Sequence, residues 1–134
     1  MASDRLWGDR KEITVILDSS AVLMLFEFSI DLDDELNRLI GKHHVILPSP
    51  IVEELRFLSE HGKGKQRQNS KAALELIKRY EIIDETGNGD DSVLLSAQKH
   101  GGIVLTNDRE LRKRAKAAFL QTIYLRGKNR LALE

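Results

Sequence analysis

Short apolar segments alternate with helical patterns along most of this 134-residue chain, and this alternation limits the folds open to it. The apolar segments are rich in Ile and Val, as buried parallel strands tend to be. Strands are predicted at 13–17, 44–47, 81–83, 103–105 and 122–125. Helices are predicted at about 20–28, 33–41, 50–60, 70–79, 90–100 and 109–118. This order predicts an α/β domain with helices on both faces of a mainly parallel sheet.

The length predicts one domain at 13–134, preceded by a flexible lead-in at 1–12. No apolar run approaches the roughly 20 residues of a membrane span, and the polar opening segment lacks the apolar core of a secretion signal. The chain has no cysteine, which excludes disulfides and thiolate chemistry. We therefore expect a cytoplasmic protein with no membrane partner.

Charge is balanced overall but segregated along the chain. The formal net charge is +0, so no overall basic field indicates a nucleic-acid partner. Residues 109–130, however, contain eight Lys or Arg and one acid, whereas 27–35 and 81–91 each contain five acids and no basic residue. This segregation matters only if the fold brings the segments together.

Two aspartates follow predicted strands directly. Asp18 ends the run ITVIL, and Asp108 follows IVLT through Asn107. Sites in open α/β sheets form beyond the carboxyl ends of the strands, so both carboxylates belong at one edge of the sheet. Each also has a plain structural interpretation as the N-cap of the following helix.

Helical spacing adds two further acids from adjacent pairs. In SPIVEELRFLSE, Ile51, Leu55 and Leu58 form a predicted buried stripe, and Glu54 occupies i+3 of it, so we expect Glu54 rather than Glu53 to project inward. In DDSVLLSAQKH, Asp90 heads the predicted buried face, and Asp91 is rotated away from it. Asp90 has the alternative of a helix cap, whereas Glu54 lies inside its helix and has none.

Four carboxylates at one sheet edge would repel one another unless a cation neutralised them. All-oxygen ligands favour Mg²⁺ or Mn²⁺ over Zn²⁺, and one or two ions would suffice. Such a site suits hydrolysis of phosphodiester bonds.

At these residues the sequence resembles the PIN domain family of metal-dependent ribonucleases, from about 13 to 133. The matching segments are VILDSSAVL, LPSPIVEEL, GDDSVLLSAQKHGGIVLTNDREL and IYLRGKNRLALE. The resemblance implies a three-layer sandwich around a five-stranded, mainly parallel sheet. It implies that Asp18, Glu54, Asp90 and Asp108 hold Mg²⁺ or Mn²⁺, with Asp91 touching the metal directly or through water. It also implies that Ser19, Thr106 and Asn107 orient the carboxylates or a water molecule.

Within that family the sequence is closest to VapC-type toxins and to the PIN proteins of ribosomal RNA maturation. A VapC toxin would act on RNA, be held inactive by an antitoxin peptide and tend to form a homodimer. Candidate phosphate contacts are Lys63, Lys65 and Arg67 in a predicted basic loop at 61–70, and Arg109, Arg112 and Lys113 after Asp108. These basic residues have the alternative of a solvated surface.

Two other classes of protein remain as alternatives. A non-catalytic PIN-like module that binds RNA or protein would use its acids for structure, but such a module has little reason to keep inward-facing acids. A phosphatase or phospho-receiver on a similar sheet fits less well. The phosphatase would need a second Asp where Ser20 stands, and the receiver would need acids where the chain has Val15, Ile16 and Leu17.

Overall fold

The computed structural model describes residues 12–134, so the predicted lead-in at 1–12 lies outside the described residues except for Glu12. The strands are β1 (Ile13–Leu17), β2 (His43–Pro48), β3 (Glu81–Ile83), β4 (Ile103–Leu105), β5 (Thr122–Arg126) and β6 (Arg130–Leu133). The helices are α1 (Ser19–Glu27), α2 (Leu32–Ile40), α3 (Ser49–His61), α4 (Lys65–Leu76), α5 (Gly89–His100) and α6 (Arg109–Ala117).

One six-stranded sheet in the order β3-β2-β1-β4-β5-β6 forms the centre of the domain. Every pairing is parallel except the antiparallel pairing of β5 with β6. The chain adds strands outward from β1 to β3, then crosses back to place β4 on the other side of β1. The direction of winding therefore reverses between β1 and β4, and ligands of open α/β sheets bind at such a reversal.

Helices cover both faces of this sheet, which confirms the predicted α/β architecture. Because crossover connections are right-handed, the outward run to β3 places α1 to α4 on one face, and the return run places α5 and α6 on the other. β1 and β4 carry the centre of the core: Val15, Ile16 and Leu17 of β1 are fully buried, as are Val104 and Leu105 of β4. These apolar strands fix the position of whatever follows them.

The sixth strand was not predicted, because the resemblance implies five. β6 is four residues long and returns from β5 through a turn at Gly127, whose φ of 73° is in the left-handed region that glycine tolerates. Its outer edge is covered by α2: the backbone N–H of Leu131 donates to Glu35, and the carbonyl of Leu131 accepts from Arg38. The two side chains replace a neighbouring strand at this point.

The predicted basic loop at 61–70 is wrong for most of its length. Helix α4 begins at Lys65, so only 62–64 separate it from α3. Lys, Gln and Arg are good helix formers, and Gly64 with φ of 58° supplies the turn before the helix. The helix also ends earlier than predicted, in a short 3₁₀ turn at Ile77–Arg79.

Within residues 12–134, none of the helices has both the length and the apolar character that crossing a bilayer demands.

Candidate active site

Asp18 lies at the junction between β1 and α1, where the sheet order reverses. Its side chain is 4% exposed, and its Oδ1 accepts a hydrogen bond from the backbone N–H of Ala21 at 2.8 Å. Asp18 is therefore the N-cap of α1, as one interpretation of the sequence expected. The buried strand before it and the buried helix after it hold its carboxylate in one place.

Two hydroxyls complete the surroundings of this carboxylate. Thr106, fully buried just after β4, donates to Asp18 Oδ2, and Ser20 donates to both carboxylate oxygens at 2.9 and 3.0 Å. The Thr106 hydroxyl accepts from the backbone N–H of Asp108, and the Ser20 hydroxyl accepts from that of Asn107. Both hydroxyl hydrogens therefore point at Asp18, and together with Ala21 they give it three donors.

Ser20 is a contact that the sequence interpretation missed. Ser19 was expected to orient the carboxylates, but Ser20 is the serine that contacts Asp18, and Asn107 takes part through its backbone. The available signal was the capping pattern, since the second residue of a helix lies beside the side chain that caps it. Ser19 remains a prediction without a contact to Asp18 in the described residues.

Burial raises the pKa of Asp18 from 3.8 to about 6, although the hydrogen bonds from Thr106, Ala21 and Ser20 act in the opposite direction. The negative charge of Asp90 raises it further. At neutral pH the carboxylate is still mostly ionised, and its ionised form is the one that three donors can serve. Ionised Asp18 is thus oriented but short of compensating positive charge.

Asp90 lies in the first turn of α5 and is electrostatically coupled to every other acid of the predicted set. Burial raises its pKa, and the charges of Asp108, Glu54 and Asp91 raise it further, whereas Arg114 lowers it. Asn88, not Asp90, is the N-cap of α5, so the capping alternative for Asp90 is wrong. Helix capping therefore does not explain the position of Asp90.

Asp108 is the N-cap of α6. Its Oδ1 accepts from the backbone N–H groups of Glu110 and Leu111 at 2.8 and 3.1 Å. The capping interpretation is thus correct for Asp108 as well as for Asp18. The carboxylate of Asp108 is exposed, and its charge raises the pKa of Asp90.

Glu54 reaches the site but is not buried, so the prediction that it projects inward is wrong. The buried stripe of α3 is Ile51, Val52, Leu55 and Ser59, which is rotated away from Glu54 because α3 packs on both α4 and α5. Glu54 instead lies at the margin towards α5: a methyl group added at Gly89 would lie 3.6 Å from its Oε1. Glu53 points elsewhere and pairs with Arg56 at 2.5 Å.

A shallow cavity of about 310 Å³ joins these elements, lined by Glu54, Asn88, Gly89, Asp90 and Arg114. Arg114 comes from α6 and pairs with Asp91 Oδ1 at 2.6 Å. The adjacent acids of α5 therefore differ: Asp90 lines the cavity with Glu54, whereas Asp91 holds an arginine. Arg114 is the cation that the site already contains.

The donor set fits a hard divalent cation. Asp18, Glu54, Asp90 and Asp108 offer only oxygen, the class of ligand that Mg²⁺ and Mn²⁺ prefer. Burial raises the pKa of Asp18 and of Asp90, and the charges of neighbouring acids raise both further, so a bound cation would favour their ionised forms. In residues 12–134 no three acids or histidines are already drawn together closely enough to hold an ion. A cation would therefore complete the site by recruiting exposed carboxylates to the fixed one.

The predicted RNA contacts fall into two groups. Arg109, Arg112 and Lys113 lie on α6, immediately beyond Asp108. Arg112 is engaged within the fold, with its guanidinium 3.9 Å from the ring centre of Tyr124 and 3.1 Å from Glu134. Lys63, Lys65 and Arg67 lie at the tip of the α3–α4 hairpin, and the end of α3 is roughly 10 Å along the helix axis from Glu54. None of these three lines the cavity.

Two curated relatives are ribonucleases. The chain is 27% identical to Ribonuclease VapC9 of Archaeoglobus fulgidus over 134 residues, which cover all of this chain and 98% of the relative. It is 34% identical to Ribonuclease VapC4 of Methanocaldococcus jannaschii over 105 residues, which cover 75% of this chain and 80% of the relative.

The fold is that of known PIN domains. The structure of the PIN domain endonuclease Utp24 superposes with a TM-score of 0.75 at 21% identity, over 90% of each chain. The family model described as "PIN like domain" matches residues 15–128, a range that includes Asp18, Glu54, Asp90 and Asp108. The chain therefore belongs to the PIN-like domain family.

Proposed function

We propose that this protein is a ribonuclease that depends on Mg²⁺ or Mn²⁺ and hydrolyses phosphodiester bonds of RNA at the four-acid site. The observation that carries the proposal is Asp18: a buried carboxylate, served by three donors, at the point where the sheet order reverses. Burying that charge costs stability, so a purely structural cap would be better served by an uncharged side chain. The VapC ribonucleases similar to this chain support the same activity.

Asp18, Glu54, Asp90 and Asp108 would hold one or two ions, with Asp91 as an outer contact while Arg114 binds it. When bound, the cation supplies a Lewis acid that activates water and stabilises charge on the leaving oxygen. Thr106 and Ser20 keep Asp18 in one orientation, and none of the described side chains that line the cavity is a suitable nucleophile. Arg109 follows Asp108 directly and would bind a neighbouring phosphate.

We further propose that the protein is the toxin of a VapC-type pair. Both curated relatives described above are VapC ribonucleases, and one of them matches along the whole chain, which favours this role over ribosomal RNA maturation. The partners would then be RNA, an antitoxin peptide and a second copy of the chain. Induced expression in a bacterial host would arrest growth, and co-expression of its antitoxin peptide would relieve the arrest.

The activity is tested with labelled RNA in the presence of EDTA, Mg²⁺ or Mn²⁺. We expect cleavage only with the metal and a loss of about hundredfold or more in Glu54→Gln, because an exposed ligand can be replaced without unfolding the protein. Glu53→Gln is the matched control, one residue along the same helix and outside the cavity, and should cleave normally. Equal cleavage by the two variants, or cleavage in EDTA, would contradict the proposed site.

A further inference from the structure

Phe119 is an aromatic residue in a position that suits glycine. It follows α6 at the residue where the chain turns away from the helix, with a φ of 62°. The backbone N–H of Phe119 bonds to the carbonyl of Lys116, and that of Leu120 bonds to Ala115, the hydrogen-bond pattern of a Schellman motif. Glycine is the usual residue there because a side chain strains the left-handed conformation.

The strain at Phe119 gains no packing in return. Its side chain is 97% exposed, the largest exposed fraction among the large apolar residues of the part of the chain described. Phe119 thus departs from two common patterns: large apolar side chains are usually buried, and left-handed backbone positions are usually occupied by glycine. Such violations concentrate at functional sites, where another molecule supplies the missing contacts.

Four cationic side chains form a row on one face of α6, the helix that joins Asp108 to the turn at Phe119. Arg109, Arg112, Lys113 and Lys116 occupy positions i, i+3, i+4 and i+7 of α6 and line one cavity of about 210 Å³ with Glu134. Glu134 pairs with Arg112 and Lys116, and Lys113 lies 3.6 Å from Glu110. Arg109 has no ion pair within residues 12–134, and the Lys113 side chain is 74% exposed. Phe119 stands three positions beyond Lys116, at the end of the row.

The dimensions suit a short single strand of nucleic acid. From Asp108 to Phe119 the helix axis advances roughly 16 Å. A stacked strand advances about 3.4 Å per nucleotide, so the row spans no more than about five nucleotides. Cations along a track with an aromatic ring at its end are the combination that binds single strands, through phosphates and through stacking of a base.

We propose that α6 is a track for single-stranded RNA, with Arg109 and Lys113 contacting phosphates and Phe119 stacking on an unpaired base, which rests on the ribonuclease function proposed above. The ring selects unpaired RNA, because a base within a duplex cannot leave its stack to cover it without an energetic cost. Affinity along the track is independent of sequence, since a base of any kind has a face that can stack.

Binding is measured by fluorescence anisotropy with labelled oligoadenylate and with an RNA duplex of the same length, in EDTA so that no RNA is cleaved. Phe119→Gly should weaken binding of the single strand roughly five- to hundredfold and leave duplex binding unchanged. The same variant should melt roughly 2 to 4 °C higher, because glycine relieves the left-handed strain. Phe119→Trp should retain the affinity for the single strand.

The phosphate contacts are tested with a matched pair of lysines. Lys113→Gln should weaken binding and reduce the slope of log affinity against log salt by about 0.7. Lys78→Gln should change neither, although Lys78 is equally exposed and pairs with Glu75 at the same spacing.

Unchanged single-strand affinity in Phe119→Gly would overturn the track. An equal loss of affinity for the duplex would also overturn it. A variant that sediments differently in the absence of RNA but binds RNA with unchanged affinity would assign Phe119 to a protein interface instead. Cleavage assays with Mg²⁺ separate the two proposals. A protein that binds as described but cleaves no RNA would leave the track standing and refute the ribonuclease. If the unsubstituted protein cleaves RNA and Phe119→Gly binds single-stranded RNA normally, the ribonuclease stands and the track is refuted.

Discussion

Thr106 donates its hydroxyl hydrogen to Asp18 across the boundary between β4 and β1, and so connects the two strands at the point where the sheet order reverses. Both side chains are buried, and the Thr106 oxygen also accepts from the backbone N–H of Asp108. One hydroxyl therefore fixes the first carboxylate of the site and the loop that leads to the last.

Thr106→Val should destabilise the protein by about 1–3 kcal/mol, because it leaves a buried carboxylate without one of its three donors. Thr122→Val is the matched control. Thr122 is equally buried, but its hydroxyl has no hydrogen-bond partner among residues 12–134, so its loss should be neutral or stabilising. Urea unfolding at pH 7 measures both. Equal free energies of unfolding for the two variants would show that the Thr106 hydrogen bond contributes nothing.

The metal-free protein should lose stability as the pH rises from about 4 to about 6. The folded state raises the pKa of Asp18 from 3.8 to about 6, so it binds this proton more tightly than the unfolded chain does. The contribution of Asp18 to the free energy of unfolding is fully present below pH 4. It falls by about 3 kcal/mol as the pH rises through 6. Asp18→Asn should remove this dependence and be the more stable protein at pH 7 in EDTA.

Addition of Mg²⁺ or Mn²⁺ should reverse that order by stabilising the unsubstituted protein alone, since a ligand that binds only the folded state raises its stability. Thermal unfolding across pH, with and without metal, gives both results. If the difference in stability between the unsubstituted protein and Asp18→Asn stayed constant from pH 4 to pH 7 without metal, burial of this charge would cost nothing.

Arg114→Gln should tighten the binding of Mn²⁺ by roughly two- to fivefold. The guanidinium pairs with Asp91 and lowers the pKa of Asp90, so it competes with an added cation for the same charge. Lys113→Gln removes an equal charge from the neighbouring position, away from the cavity, and should change the affinity little. Calorimetric titration measures the two constants, and weaker binding by Arg114→Gln would mean that the arginine supports the site instead.

Glu35→Gln should weaken the attachment of β6 at neutral pH. The pKa of Glu35 is lowered to about 2 by its hydrogen bonds to Arg38 and to the backbone of Leu131. A depressed pKa contributes stability above pH 4.5 that is lost as the pH falls towards 2. The variant should therefore melt below the unsubstituted protein at pH 7, and the gap should close near pH 2. Glu75→Gln, which removes an exposed pair with Lys78, should melt normally at both.

Much of the fold follows from the sequence because the strands of the sheet centre are short, continuous apolar runs, which are typical of buried parallel strands. The residues after β1 and β4 were predictable for the same reason: once the strands are parallel, their ends meet. Helical spacing separated Asp90 from Asp91, and in the structure Asp90 lines the cavity whereas Asp91 pairs with Arg114. Whether these residues hold a metal remains a prediction.

The departures have physical causes that one sequence does not reveal. The helical stripe of α3 placed Glu54 inward, but the packing of α4 and α5 rotates the buried face towards Val52 and leaves Glu54 exposed. The start of α4 was hidden because Lys65 and its neighbours have composition typical of a loop and propensity typical of a helix. The exposure of Phe119 could not be inferred either, since an aromatic residue after a helix usually packs.

The sheet order has a consequence for the nascent chain. β1 and Asp18 leave the ribosome about ninety residues before their neighbours β4, Thr106 and Asp108, and within residues 12–134 no strand that precedes β4 occupies that side of β1. A polypeptide that stops short of β4 lacks Thr106, one of the three donors to the Asp18 carboxylate, and Asp108, one of the four acids. Truncated or stalled products are therefore expected to be inert, and full-length synthesis is a precondition for the site to exist.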